Sequence, residues 1–91
     1  MMYPYMTLND GTEITHSQLL DLQHDGTITV EVHFERTTDT GFDSARCFLP
    51  SYTWLYHEGF SAEEIKRFEQ FLKRNVHLFF KFAGQGGIFC A

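Results

Sequence analysis

The sequence predicts an α+β domain in which a small antiparallel sheet of three to five strands packs one face against a long C-terminal helix. Three observations predict this class. Apolar and polar side chains alternate within residues 3–49, as they do along strands. Asp-Gly turns interrupt that alternation. Residues 61–83 then carry apolar side chains every three to four positions, which is the spacing of a helix face. The 91 residues make a single domain spanning 1–91.

The first two strands are predicted to form a hairpin. Tyr3–Leu8 alternates, and Pro4, which has no backbone N–H to donate, indicates a strand start or an edge strand. Residues 9–11 (Asn-Asp-Gly) suit a tight turn, so the chain is expected to return through Thr12–His16. Residues 17–23 fit either one helical turn or a continuing strand, and both interpretations stay open.

Two further strands follow a second turn at residues 24–26 (His-Asp-Gly). Thr27–Arg36 is the clearest strand, because polar side chains separate four apolar ones that share a face: Ile28, Val30, Val32 and Phe34. After a polar loop, Phe42–Leu49 resumes with three small or apolar side chains facing inward: Ala45, Cys47 and Leu49. Pro50 ends this strand, and residues 50–60 are predicted to form an aromatic loop.

The helix is expected over residues 61–83. Ser61 and Glu64 form a capping box, in which each side chain accepts a hydrogen bond from the other residue's backbone N–H. Phe60 precedes the box as a candidate hydrophobic staple to Ile65. Three glycines, the first at Gly84, are expected to stop the helix and leave a short apolar tail over 84–91.

The predicted helix has more apolar surface than one sheet needs. Its central stripe has one flank at Phe71, Leu78 and Phe82 and another at Phe80, so that the apolar arc is about 200° wide. Covering a sheet takes only about 100°. Either the helix sinks deeply into its own domain beneath the aromatic loop, or it presents a second apolar surface. We predict a partner interface made of Phe71, Leu78, Phe80 and Phe82.

Charge is unevenly distributed along the chain. Residues 1–60 hold two basic and nine acidic side chains, and the overall net charge is −5. The helix has a basic outer face: Lys66, Arg67, Lys73, Arg74 and Lys81. This face is interpreted as solvated, with two alternatives: pairing with acidic groups of a second copy, or binding nucleic-acid phosphates. The acidic remainder of the chain argues against a nucleic-acid partner.

No membrane partner is expected, because no segment approaches the roughly 18 apolar residues of a membrane span and the N-terminus lacks the basic start of a signal peptide. The predicted location is the cytoplasm, with the two cysteines, Cys47 and Cys90, as free thiols; a bond between them is the alternative. Cys90, in the tail, is expected to be exposed and oxidisable.

The sequence predicts no catalytic residue, metal site or cofactor. None of the five histidines stands at a metal-ligand spacing. His33 lies between Glu31 and Glu35 on the wet side of its strand, which is read as an ordinary exposed face, with a metal or acid–base site as the alternative. Cys47 is expected to be an inert inward-facing thiol.

A small-ligand pocket is a second possibility for the aromatic loop. Tyr52, Trp54 and Tyr56 alternate and would offer stacking rings, while His57 and Glu58 add two titratable groups. The competing interpretation is that these rings only pin the loop over the core.

Three segments carry a family resemblance: Leu8–Ser17 (LNDGTEITHS), Leu49–Trp54 (LPSYTW) and Gly59-Phe60-Ser61. They resemble a family of short bacterial proteins that has no assigned activity, and they cover about a fifth of the chain. The resemblance implies a complete bacterial protein and assigns no functional residue.

The expected function is therefore a non-enzymatic protein-interaction or regulatory accessory module, formed as a homodimer. The alternative is a small-ligand binder or minor enzyme that uses the aromatic loop around Tyr52, Trp54 and His57.

Overall fold

A five-stranded antiparallel sheet and one helix make up the described part of the protein. The computed structural model describes residues 2–89, and their side chains as far as Gln85. The elements are β1 (Met2–Thr7), β2 (Glu13–Ser17), β3 (Val30–Thr38), β4 (Gly41–Leu49), β5 (Thr53–Glu58) and α1 (Ala62–Phe89). Each strand pairs with the next in chain order, so β1 and β5 are the two edges. The predicted α+β class is confirmed.

The turn between β1 and β2 forms as its residues predict. Gly11 adopts a positive φ of 90°, and the Asp10 carboxylate accepts a hydrogen bond of 2.9 Å from the Thr12 amide. The edge position predicted from Pro4 is confirmed. An irregularity between Pro4 and Met6 leaves Tyr5 as an extra residue in β1, and the Tyr5 ring packs against the core.

The central strands follow the predicted alternation. Six side chains from β3 and β4 are fully buried: Val30, Val32, Phe34, Ala45, Cys47 and Leu49. The prediction for Ile28 is wrong, since 39% of this residue is exposed. Its position precedes β3, in a loop over residues 18–29 where the backbone no longer holds strand geometry.

That loop resolves the open interpretation of residues 17–23, which form neither a helix nor a continuing strand beyond Ser17. A single bridge joins the loop's ends, where the Leu20 and Thr29 backbones exchange two hydrogen bonds of 2.8 Å. The second predicted turn lies at its tip, where Gly26 has a φ of 86°.

The predicted aromatic loop over residues 50–60 is wrong in its centre, because Thr53–Glu58 forms the edge strand β5. Pro50 ends β4 as expected, and the chain reverses within residues 50–52. The pairing of β5 with β4 is irregular between Arg46 and Cys47, so that Leu55 has no direct partner on β4.

The capping box at the start of α1 is confirmed. The Ser61 amide donates to the Glu64 carboxylate at 3.0 Å, and the Glu64 amide donates to the Ser61 hydroxyl at 3.1 Å. The predicted end near Ala83 is wrong, because the helix continues to Phe89 and takes in most of the predicted tail. Glycine lowers helix propensity by only about 1 kcal/mol relative to alanine, so Gly84 need not stop a helix. Cys90 and Ala91 lie outside the described residues, and with them the predicted exposure of Cys90 and the alternative disulfide.

Candidate functional site

Aromatic rings from both halves of the sheet hold the helix on one face of the sheet. The Phe68 ring stacks on Phe34 of β3 with centroids 4.3 Å apart, and Phe79 stacks on Tyr5 of β1 at 4.2 Å. At the opposite edge, the Trp54 indole of β5 donates a 2.9 Å hydrogen bond to Glu69. The helix is therefore contacted from both edge strands.

One flank of the helix, facing β1, remains partly open. We call Phe71, Leu78 and Phe82 the flank surface. Phe71 and Leu78 are half-buried, and Phe82 is 38% exposed. Tyr5 lies beneath them, with its ring centroid 6.1 Å from that of Phe71 and 6.0 Å from that of Phe82. A hydrogen bond of 2.9 Å from the Tyr5 hydroxyl to Asn75 fixes this arrangement.

Phe80, the fourth residue of the predicted interface, does not join the other three. It is two positions, or about 200°, from Phe82 around the helix. Phe80 is half-buried and packs against the protomer's own core. Three of the four predicted interface residues therefore share one side of the molecule.

A cavity of about 350 Å³ extends the flank surface toward the start of the helix. Leu8, Phe68 and Phe71 give it an apolar floor, and Asp10, Glu64 and Arg67 lie at its rim. Sequence reasoning missed Tyr5 and Leu8 as parts of this surface. The alternation in the first strand was visible, but its register against the helix was not.

Beside this cavity, Arg36 binds three carboxylates at once, and we call this group the Arg36 cluster. Its guanidinium donates to Asp43 through Nε (2.9 Å) and Nη2 (2.7 Å), and through Nη1 to Glu64 (2.7 Å) and Asp10 (3.2 Å). The guanidinium also lies 4.7 Å above the centre of the Phe60 ring. These contacts raise the pKa of Arg36, and its hydrogen bond lowers the pKa of Glu64. The cluster ties the first turn and two strands to the helix start.

The five residues of the predicted ligand pocket are not brought together. Trp54 pairs with Cys47 and packs its ring against Phe34 in the core, at a centroid distance of 5.8 Å. Tyr56 pairs with Arg46 and lies on the face of the sheet opposite the helix. The irregularity at Leu55 therefore puts the rings of Trp54 and Tyr56 on opposite faces of the sheet. Tyr52 lies in the turn before β5, where the Lys73 Nζ atom is 5.8 Å from the centre of its ring. His57 and Glu58 are exposed at the end of β5.

The sheet face opposite the helix, which we call the open face, carries a polar network. Arg46 pairs with Glu31 at 2.6 Å, and the His33 ring lies 3.1 Å from the Ser44 hydroxyl. Burial, helped by the nearby Arg46 charge, lowers the pKa of His33, so that the ring is neutral at pH 7. It is the Nε2 atom of His33 that lies near the Ser44 hydroxyl, and the Glu35 carboxylate lies 4.0 Å from this same Nε2 atom. A carboxylate that orients a catalytic histidine would instead contact the other ring nitrogen, Nδ1. Among the described residues, no group of three potential ligands is placed to hold a metal ion.

Cys47 is a free, buried thiol. Burial raises its pKa to about 12, so that the thiolate needed for a nucleophile does not form at neutral pH.

The basic helix face is solvent-exposed at every predicted position: Lys66, Arg67, Lys73, Arg74 and Lys81.

No described helix combines the length and apolar composition that crossing a bilayer requires. Comparisons with family models, curated proteins and solved structures found no match to this chain.

Proposed function

We propose that this chain is a non-enzymatic interaction module that forms a homodimer through the flank surface. The observation that carries the proposal is Phe82, which stays 38% exposed although it continues a row of half-buried apolar side chains. An aromatic ring at the border of such a row is a typical anchor of a protein interface.

The position of the surface suits a second copy. The flank surface covers about 16 Å of helix and continues into the cavity floored by Leu8 and Phe68. It lies beside β1, whose outer edge has no strand partner within the described sheet. Pro4 and the irregularity at Tyr5 make that edge a poor template for strand pairing. Side-chain packing about a twofold axis is therefore the favoured geometry, with the same residues contributed by both copies.

The non-enzymatic part of the proposal is supported by what the reactive groups do. The Cys47 thiol is held protonated by burial, and His33 shares the open face with a carboxylate that does not orient its ring for catalysis. We also propose a cytoplasmic location, because two cysteines in 91 residues are too few for the disulfide framework typical of small secreted domains.

The experiment is light scattering of the purified full chain across micromolar to high-micromolar concentration. Wild type is expected at twice the mass of its 10.6 kDa protomer. Phe82→Ser is expected to shift the protein to the monomer, because it removes the anchoring ring from both halves of a twofold interface. Circular dichroism should show that the variant keeps its fold, since Phe82 is not fully buried.

Phe42→Ser is the matched control. Phe42 is more exposed than Phe82, at 65%, but lies in the β3–β4 hairpin away from the flank surface. It should leave the mass unchanged. A wild-type protein that is monomeric throughout, or a Phe82→Ser variant that dimerises as well as wild type, would overturn the proposal.

A further inference from the structure

A cleft lies at one end of the open face, on the opposite side of the sheet from the helix. Phe48 is its floor: it pairs with Thr53 of β5 and alternates with Cys47 and Leu49, whose side chains face the helix. The loop over residues 18–29 supplies the facing wall through Leu22 and Thr29. The cleft encloses about 440 Å³, within the range of about 300–1,000 Å³ that is typical of small-molecule sites.

The wall of the cleft is held by hydrogen bonds within its own loop. The Leu20–Thr29 bridge closes the base of the loop. At its tip, the Asp21 carboxylate accepts hydrogen bonds from the amides of Asp25 and Gly26, both at 3.2 Å. These contacts fix part of the loop's own backbone, which lowers the entropic cost of ordering the wall around a ligand.

The lining determines the class of ligand. Leu22, Phe48 and Pro50 offer apolar surface, and the flat ring of Phe48 is suited to stacking with an aromatic partner. Hydroxyl groups at Ser51 and Thr53, which lie 2.9 Å apart, add hydrogen-bonding capacity at the rim. Among the described residues that line the cleft, none is ionisable.

A charged group on the strand next to the cleft floor is also neutralised. Glu31, the partner of Phe48 across the sheet, is paired with Arg46 at 2.6 Å. A charged ligand would therefore lose its hydration without gaining a counter-ion. We propose that this cleft binds a small uncharged aromatic compound that carries a hydroxyl or carbonyl group. The site is independent of the flank surface and does not rest on dimer formation.

The test uses benzyl alcohol as the probe, titrated into the ¹⁵N-labelled full chain and followed by amide chemical shifts. We expect saturable shifts centred on Thr29, Ser51 and Thr53, with the millimolar affinity typical of so small a molecule. Benzoate and benzylamine, which keep the ring but carry a charge, should bind at least fivefold more weakly.

Two variants, one in the loop over residues 18–29 and one in the edge strand β5, test where the probe binds. Leu22→Ser removes apolar wall from the cleft and should weaken binding about fivefold. Leu55→Ser is its matched control, since Leu22 and Leu55 are 52% and 49% exposed and Leu55 lies outside the cleft. It should change the affinity less than twofold. The unperturbed amide spectrum elsewhere reports that both variants remain folded.

Each remaining outcome overturns the inference. No saturable shift at the three cleft residues up to about 50 mM probe would show that the cleft binds no such compound. Equal weakening by Leu22→Ser and Leu55→Ser would place the probe elsewhere. Benzoate or benzylamine binding as tightly as benzyl alcohol would refute the assignment to uncharged ligands.

Discussion

Gly59→Ala tests the Arg36 cluster, because Gly59 lies against one of its carboxylates. Gly59 has a φ of 86°, a conformation that L side chains rarely adopt. A Cβ at this position would overlap the Asp43 carboxylate group and lie 2.9 Å from the Asp43 Cβ. The substitution should therefore strain the backbone and also push Asp43 away from Arg36.

The two effects can be separated within this chain. Gly26 has the same φ of 86° and has open space where its Cβ would lie. Gly26→Ala should cost only the backbone strain, about 1 kcal/mol. Gly59→Ala also breaks the two hydrogen bonds between Arg36 and Asp43. The Asp43 side chain is 17% exposed and that of Arg36 is 22% exposed. Charge-assisted bonds contribute roughly 1.5–3 kcal/mol each, and the partial exposure of both side chains lowers that figure. We expect the pair to add about 2 kcal/mol, which brings the total cost of Gly59→Ala to about 3 kcal/mol.

Urea unfolding, followed by the fluorescence of the single tryptophan, measures both variants. Trp54 is suited to this because its ring packs against Phe34 and its N–H is bonded to Glu69, contacts that unfolding breaks. All samples need one protein concentration, since any association stabilises the folded state. An Asp43→Gly background removes the whole obstructing side chain, including its Cβ, and there Gly59→Ala and Gly26→Ala should lose similar free energy of unfolding.

A clash with Asp43 that breaks its bonds to Arg36 is refuted if Gly59→Ala destabilises the protein no more than Gly26→Ala does. That result would mean that Asp43 can turn aside at no cost, and that its contact with Arg36 contributes little. A difference between Gly59→Ala and Gly26→Ala that persists in the Asp43→Gly background would refute it as well, because the clash with Asp43 could not then be the cause.

Two further predictions follow from the same contacts. Hydrogen bonds from Arg36 and Ser61 lower the pKa of Glu64 in the folded protein. As the pH falls, Glu64 is therefore protonated at a higher pH in the unfolded chain than in the folded one. The free energy of unfolding, measured with urea, should fall as the pH drops from about 5 toward 3. This fall should be smaller in Arg36→Met; an identical pH profile would contradict the assignment. Phe80→Ser should lower the free energy of unfolding by about 2 kcal/mol, because Phe80 packs against the protomer's core. An unchanged urea midpoint would show that the ring contributes nothing there.

The features that the sequence predicts well are those whose cause is local. A glycine after Asp10 suffices to place the first turn, and Ser61 with Glu64 suffices to place the start of the helix, because the groups that bond are within three residues of each other. The inward faces of β3 and β4 are likewise set by an alternation that runs unbroken from Val30 to Phe34 and from Ala45 to Leu49.

The fifth strand was hidden by its irregularity. Alternation placed Trp54 and Tyr56 on one face, whereas the irregularity at Leu55 puts them on opposite faces of the sheet. A single inserted residue reverses the facing of everything beyond it, and nothing in the residues 53–58 marks where that insertion falls. For this reason a pocket drawn from the alternation of these rings does not form.

The Arg36 cluster was not predictable for a different reason. It joins carboxylates from residues 10, 43 and 64, so its formation depends on the strand order and on where the helix begins relative to the first turn. Neither the spacing nor the residue types distinguish these three acids from the other nine in the chain.

The wide apolar arc of the helix is explained in part by contacts within the protomer. Tyr5 on β1 lies against Phe71 and Phe82 on one flank, and Phe80 on the other flank packs against the core, so the protomer uses apolar helix surface well beyond the central stripe. Arc width alone therefore does not argue for a partner. A partner is indicated by the apolar surface that the protomer leaves uncovered: of the four residues first predicted to face a partner, Phe82 is the most exposed. That is why replacing Phe82, rather than Phe80, decides whether this domain pairs with a second copy.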